Sequence, residues 1–149
     1  MKFDEILGTQ VLLLDGAMGT MVQNLTLEDS AFGGPAYKML TDLLIFSRPD
    51  ELEGIHLKYL QAGANLIETN TFGASPLRLA EFDFKDIDLA DIKAIPKDLD
   101  LKASDYSAIT WHLNVEGCRI ARRAIDRYKA SSDYDGRPLF IAGSIGPSN

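Results

Sequence analysis

Short, near-continuous apolar runs alternate along this chain with longer stretches whose apolar residues recur every three or four positions. Val11-Leu12-Leu13-Leu14 runs directly into Asp15-Gly16, Ala64-Asn65-Leu66-Ile67 into Glu68-Thr69-Asn70-Thr71, and Leu139-Phe140-Ile141-Ala142 into Gly143-Ser144 and Gly146-Pro147. Continuous rather than alternating apolar character predicts strands of a parallel sheet, buried on both faces. Between the runs lie two helical patterns. One opens at Ser47-Arg48-Pro49-Asp50-Glu51, with proline near the first turn and acids at the positive end of the dipole. It carries Leu52, Ile55, Tyr59 and Leu60 on one face and stops at Gly63. The other spans about Ile109 to Lys129, with Leu113, Gly117, Ile120, Ala121, Ala124 and Tyr128 in register and small residues that predict close packing on a sheet. Residues 2–8 read as a short leading helix with Phe3, Ile6 and Leu7 turned inward.

Strand, helix, strand, helix, strand predicts an α/β architecture, a partial (β/α)8 TIM barrel of about the first three βα segments. A closed barrel of this kind takes roughly 250 residues, so the 149 residues here read as one portion of a barrel belonging to a longer protein. Residues 24–46 form a long link around Gly33-Gly34-Pro35. Residues 83–107 read as an insertion, with Asp, Leu and Lys recurring around Pro96, and its acids predict a solvated surface excursion.

Composition narrows the function. Net charge is −7 and the basic residues form no stripe, which argues against nucleic acid. The densest basic run, Arg119 to Arg123, falls in a helical pattern as a solvated face. No apolar run approaches the roughly 20 residues that span a bilayer, and the first residues lack a signal-peptide pattern, so a cytoplasmic location with no membrane partner is expected. The single cysteine, Cys118, allows neither an internal disulfide nor a multi-cysteine metal site built from this chain alone, and reads as a small buried residue of the second helix. His56 and His112 lie on helices without paired ligand spacing and read as packed or surface residues.

The strand ends are the chemical candidates, because parallel α/β folds present their chemistry there. Asp15-Gly16-Ala17-Met18-Gly19-Thr20 follows the first strand, where glycines bring backbone N–H groups near an anion and Asp15 could hold an ammonium. It lacks the third glycine and the distant acid of a dinucleotide fingerprint. At the second strand end, alternation puts Glu68 and Asn70 on one face and Thr69 and Thr71 on the other, with Asn70 the stronger candidate. Ser144 ends the third strand, and an ordinary turn explains that segment equally well.

Together, residues 14–23, Ile55-His56 with Tyr59 to Phe72, and Ala142 to Asn149 resemble the homocysteine-binding barrel of the homocysteine S-methyltransferase family. The Asp-Gly-Ala-Met-Gly-Thr form is most similar to cobalamin-dependent methionine synthases. The resemblance implies a methyltransferase in which zinc, held by three cysteines on later strands, keeps the homocysteine sulfur as a thiolate. That thiolate would take a methyl group from methylcobalamin, recharged by 5-methyltetrahydrofolate on further folate and cobalamin modules. Carried over, Asp15 would hold the ammonium and Gly16, Ala17, Met18 and Gly19 the carboxylate, with Asn70, Thr71 and Ser144 lining the mouth. No zinc ligand and no catalytic residue of the pattern falls in this chain, so the isolated chain is expected to be inactive. Alternatives are a cobalamin-independent homocysteine S-methyltransferase, a non-catalytic small-molecule binding or assembly module, and, with least weight, an unrelated barrel enzyme binding phosphate.

Overall fold

A computed structural model of the chain describes residues 3–146. Pro147, Ser148 and Asn149, the end of the third motif, and Lys2 of the leading helix lie outside the described residues.

The apolar runs lie side by side and parallel. β1 (Leu66–Glu68) pairs with β2 (Phe140–Ala142) in the register Leu66 to Phe140, Ile67 to Ile141 and Glu68 to Ala142. On the other side of β1, Leu14 makes a single parallel bridge to Leu66. There the Leu13 carbonyl accepts the Asn65 and Leu66 amides at 2.7 and 3.0 Å, and the Asp15 amide donates to the Leu66 carbonyl at 2.9 Å. The first run thus takes its expected place but not its expected burial. Val11 is 86% exposed, and Leu13 and Leu14 are also exposed, because no described element covers that flank of the sheet.

Helices cover one side. α1 (Phe3–Leu7) buries Ile6 alone; Phe3 and Leu7 are exposed rather than inward, and Phe3 touches Phe140 edge-on at 5.2 Å between ring centres. α2 (Met18–Gln23) follows the first strand end, and α3 (Leu44–Ser47) leads into α4 (Pro49–Gln61). α4 starts at the predicted proline and buries Leu52, Ile55, His56 and Leu60. It stops at Gly63, whose φ of +109° suits glycine and lets Ala64 donate back to the Tyr59 carbonyl. α5 (Pro76–Leu79) is a short turn capped by Ser75. α6 (Tyr106–Lys129) begins three residues before the predicted start, because the Asp105 carboxylate caps it by accepting the Ala108 amide at 2.8 Å. Arg119, Arg122 and Arg123 are solvated, as expected. No helix among the described residues is long and apolar enough to cross a membrane.

Among the described residues, two apolar clusters hold the layers together. The larger is built on Leu43, Leu44, Ile45, Phe46, Leu52, Ile55, Ile109, Leu113 and Ile120, and the smaller joins Leu60 and Ile67 to Ala124, Ile125, Tyr128 and Leu139. Each fully buried Leu, Ile or Phe contributes about 1.5–3 kcal/mol.

Residues 83–107 are not a solvated excursion. Phe84, Ile87, Ile92, Leu99 and Leu101 are buried in the larger cluster while most of the acids between them face water. The segment is tied down by Ala94 donating to the Phe46 carbonyl at 2.9 Å and by Asp91, which accepts from Ser30 at 2.7 Å and Arg48 at 3.1 Å. Ile87 seats directly over Gly33, whose φ of +84° and missing side chain leave it room.

Candidate functional site

Asp15 stands where the first strand ends. Its Oδ2 accepts the Glu68 backbone N–H at 3.0 Å, linking the first two strand ends, while its Oδ1 is buried without a hydrogen-bond partner. Burial, with a smaller contribution from the Glu68 charge, raises its pKa to about 6. A half-satisfied carboxylate of this kind is costly unless a cation or donor completes it. Gly16, Ala17, Met18 and Gly19 follow at the entry to α2, where Ala17 offers no side-chain cap. The opening N–H groups of that helix therefore have no intrahelical acceptor. Neither Gly16 nor Gly19 has a positive φ, so the expected tight glycine turn is not what places them. A Cβ at Gly16 would meet the Tyr59 ring at ordinary contact distance, and one at Gly19 would meet open space.

The second strand end divides as alternation predicts. Asn70 donates from Nδ2 to the Thr41 carbonyl at 3.1 Å and lines an open cavity of about 440 Å³. Thr69 and Thr71 are buried and join hydroxyls at 2.7 Å. Thr71 also donates to the Ser144 carbonyl at 2.9 Å, and the Ser144 amide donates to Thr69 Oγ1 at 3.0 Å. Those contacts tie the ends of β1 and β2 together and turn Thr71 toward α6, while Ser144 takes part through its main chain. Gly146 lies against the Phe72 carbonyl, closing the two loops on each other.

Asn70 and Gly19 therefore sit on different cavities. The first is lined by Thr41, Asp42, Asn70, Phe72, Arg78 and Glu81, and the second, of about 400 Å³, by Gly19, Gln23, Phe32 and Lys38, with Met39 and Thr41 in the wall they share. Asp15 lines neither. Asp42, 5% exposed, also lines the first cavity; the sequence placed it only within the long link 24–46. Desolvation raises its pKa to about 6, against the lowering effect of backbone hydrogen bonds and Arg78.

Comparison with known proteins decides the family. The sequence model of the homocysteine S-methyltransferases matches residues 12–149. The chain belongs to the homocysteine S-methyltransferase family. Its fold is similar to the homocysteine methyltransferase MmuM of Escherichia coli in the metallated form (25% identity, TM-score 0.64) and the oxidized form (26% identity, TM-score 0.66). These matches cover 96% and 95% of this chain but 40% and 39% of those chains, so it spans about two fifths of their length.

For a homocysteine S-methyltransferase, the residues present do not fit a zinc centre. Among the described residues no group of three His, Cys, Asp or Glu could hold a metal ion. Cys118 is exposed on the outer side of α6, not buried as expected, because it lies about 100° around the helix from the inward-facing Gly117. His56 is buried in α4 with an unpartnered Nδ1, and desolvation lowers its pKa to about 4, so it is neutral near pH 7. His112, also buried, has its Nε2 3.7 Å from the Asp98 carboxylate.

Proposed function

We propose that this chain supplies the part of a homocysteine S-methyltransferase barrel, its first three βα segments, that grips the amino-acid end of homocysteine. The observation that carries the reading is the buried, unpartnered Oδ1 of Asp15 at the first strand end. The substrate ammonium supplies the missing donor and a countercharge, turning a costly group into a charge-assisted contact. The backbone N–H groups of Gly16, Ala17, Met18 and Gly19 are assigned the substrate carboxylate. With both charged ends fixed, the sulfur is aimed into the barrel, and orientation is what these residues give to catalysis. Zinc ligation and methyl transfer itself fall to other parts of the whole protein, and the chain alone is inactive.

The whole protein is assigned as a cobalamin-dependent methionine synthase, with methylcobalamin as donor and 5-methyltetrahydrofolate recharging it on separate modules. The Asp-Gly-Ala-Met-Gly-Thr form of residues 15–20 supports this. A cobalamin-independent homocysteine S-methyltransferase is the second reading, favoured by the likeness to solved structures named for homocysteine methyl transfer alone. Assay of the whole protein separates them: methyl transfer that requires methylcobalamin supports the first, and transfer undiminished without it supports the second. In that protein, Asp15→Asn raises the homocysteine KM while metal content stays near wild type. Equal loss of bound zinc overturns the ammonium assignment.

A further inference from the structure

Resting on the reading of the mouth as the homocysteine grip, the structure assigns a role to a residue outside the strand ends. We propose that Asp42 is a positioning residue whose carboxylate latches the loop after β1 and so sets where Asn70 and Phe72 stand at the cavity. Its Oδ1 accepts the Gly73 N–H at 3.0 Å across a sequence separation of 31 residues. A Cβ on Gly73 would lie 2.5 Å from the other carboxylate oxygen, so that position has no room for a side chain while Asp42 is in place. One residue earlier, the Thr41 carbonyl accepts the Asn70 side-chain amide at 3.1 Å. Residues 41 and 42 therefore hold both ends of the turn 70–73, and Thr71 pins its middle to the Ser144 carbonyl. Phe72, 63% exposed, is carried on that turn at the cavity rim. The loop takes its shape from an acid in a different segment, whose hydrogen bonds offset part of its desolvation. The other charged groups lining this cavity are Arg78 and Glu81 of the α5 region, which pair with each other.

Amide exchange and side-chain resonances in the 149-residue chain test the latch. Asp42→Ala speeds exchange at Gly73 about tenfold relative to α6 amides, the scale of one hydrogen bond to a charged group, and shifts the Asn70 side-chain NH2 signals. Asp42→Asn, which keeps an acceptor, restores most of the protection. The Gly73 amide signal of the wild type titrates with the Asp42 carboxyl, and this titration disappears in Asp42→Asn. Gly73→Ala, which leaves the charge untouched, moves the Asn70 signals as Asp42→Ala does and serves if that variant fails to fold. Unchanged Gly73 protection in a folded Asp42→Ala chain, or unmoved Asn70 signals in Gly73→Ala, overturns the proposal. A latch behaving as described in a chain that takes up no homocysteine supports the latch and counts against the substrate assignment alone.

Discussion

Thr71 of the strand-end loop and Gly117 of α6 are packed so closely that a Cβ on Gly117 would lie 2.7 Å from the Thr71 methyl. Thr71 cannot swing aside cheaply, because its hydroxyl is engaged with both Thr69 and the Ser144 carbonyl. Gly117→Ala gains up to about 1 kcal/mol of helix propensity but meets an overpacking cost of about 1–3 kcal/mol. The expected result is a net loss of about 1 kcal/mol in urea unfolding, with altered shifts at the amides of Ser144 and Thr69. A stabilised variant would show that the strand ends are not clamped by α6.

Residue Ile87 tests the docking of 83–107. It is fully buried over Gly33, so Ile87→Ala costs about 2–4 kcal/mol as a core truncation. A surface excursion would lose under about 0.5 kcal/mol. The difference is read from the urea midpoint at constant slope.

The acid response has opposing contributions. His56 binds a proton at about 4 when folded, against an ordinary 6.5. The unfolded chain therefore takes the proton first, and stability falls as pH drops from about 6.5 toward 4. Asp15 and Asp42, raised from 3.8 to about 6, act the other way: the folded chain takes their protons first, and they add stability as pH falls from about 6 to 3.8. His56→Leu removes the first contribution and gains roughly 2 kcal/mol relative to wild type at pH 5 compared with pH 7.5. Parallel pH–stability curves for the two proteins would contradict the neutral, buried assignment.

The second and third strands, α4 and the larger part of α6 were legible because their signals are local: continuous apolar runs, Pro49 with acids behind it, and small residues at helical spacing. The place of Asp15 at a strand end was legible because it follows an apolar run. What the sequence hid depends on distant partners. Phe84, Ile87, Ile92, Leu99 and Leu101 follow no single period, so the acids between them dominated the reading, although the apolar residues decide the packing. Asp42 reaches a glycine 31 residues away, and nothing in the intervening chain announces it. Cys118 was misplaced by one helical position. The exposure of Val11 reflects which elements lie beside the first strand, and a strand's own composition does not carry that information.

If Asp15 receives the ammonium of homocysteine, the Glu68 amide, which donates to the same carboxylate at 3.0 Å, is the direct reporter. Titrating L-homocysteine into the chain while following that amide signal, at pH values on both sides of 6, tests it. Ionised Asp15 binds an ammonium and protonated Asp15 does not, so the account predicts a saturable shift that is strong above pH 6, fades below it and is absent in Asp15→Asn. A homocysteine-induced shift that survives in Asp15→Asn, or no shift at any pH in a folded wild-type chain, would contradict it.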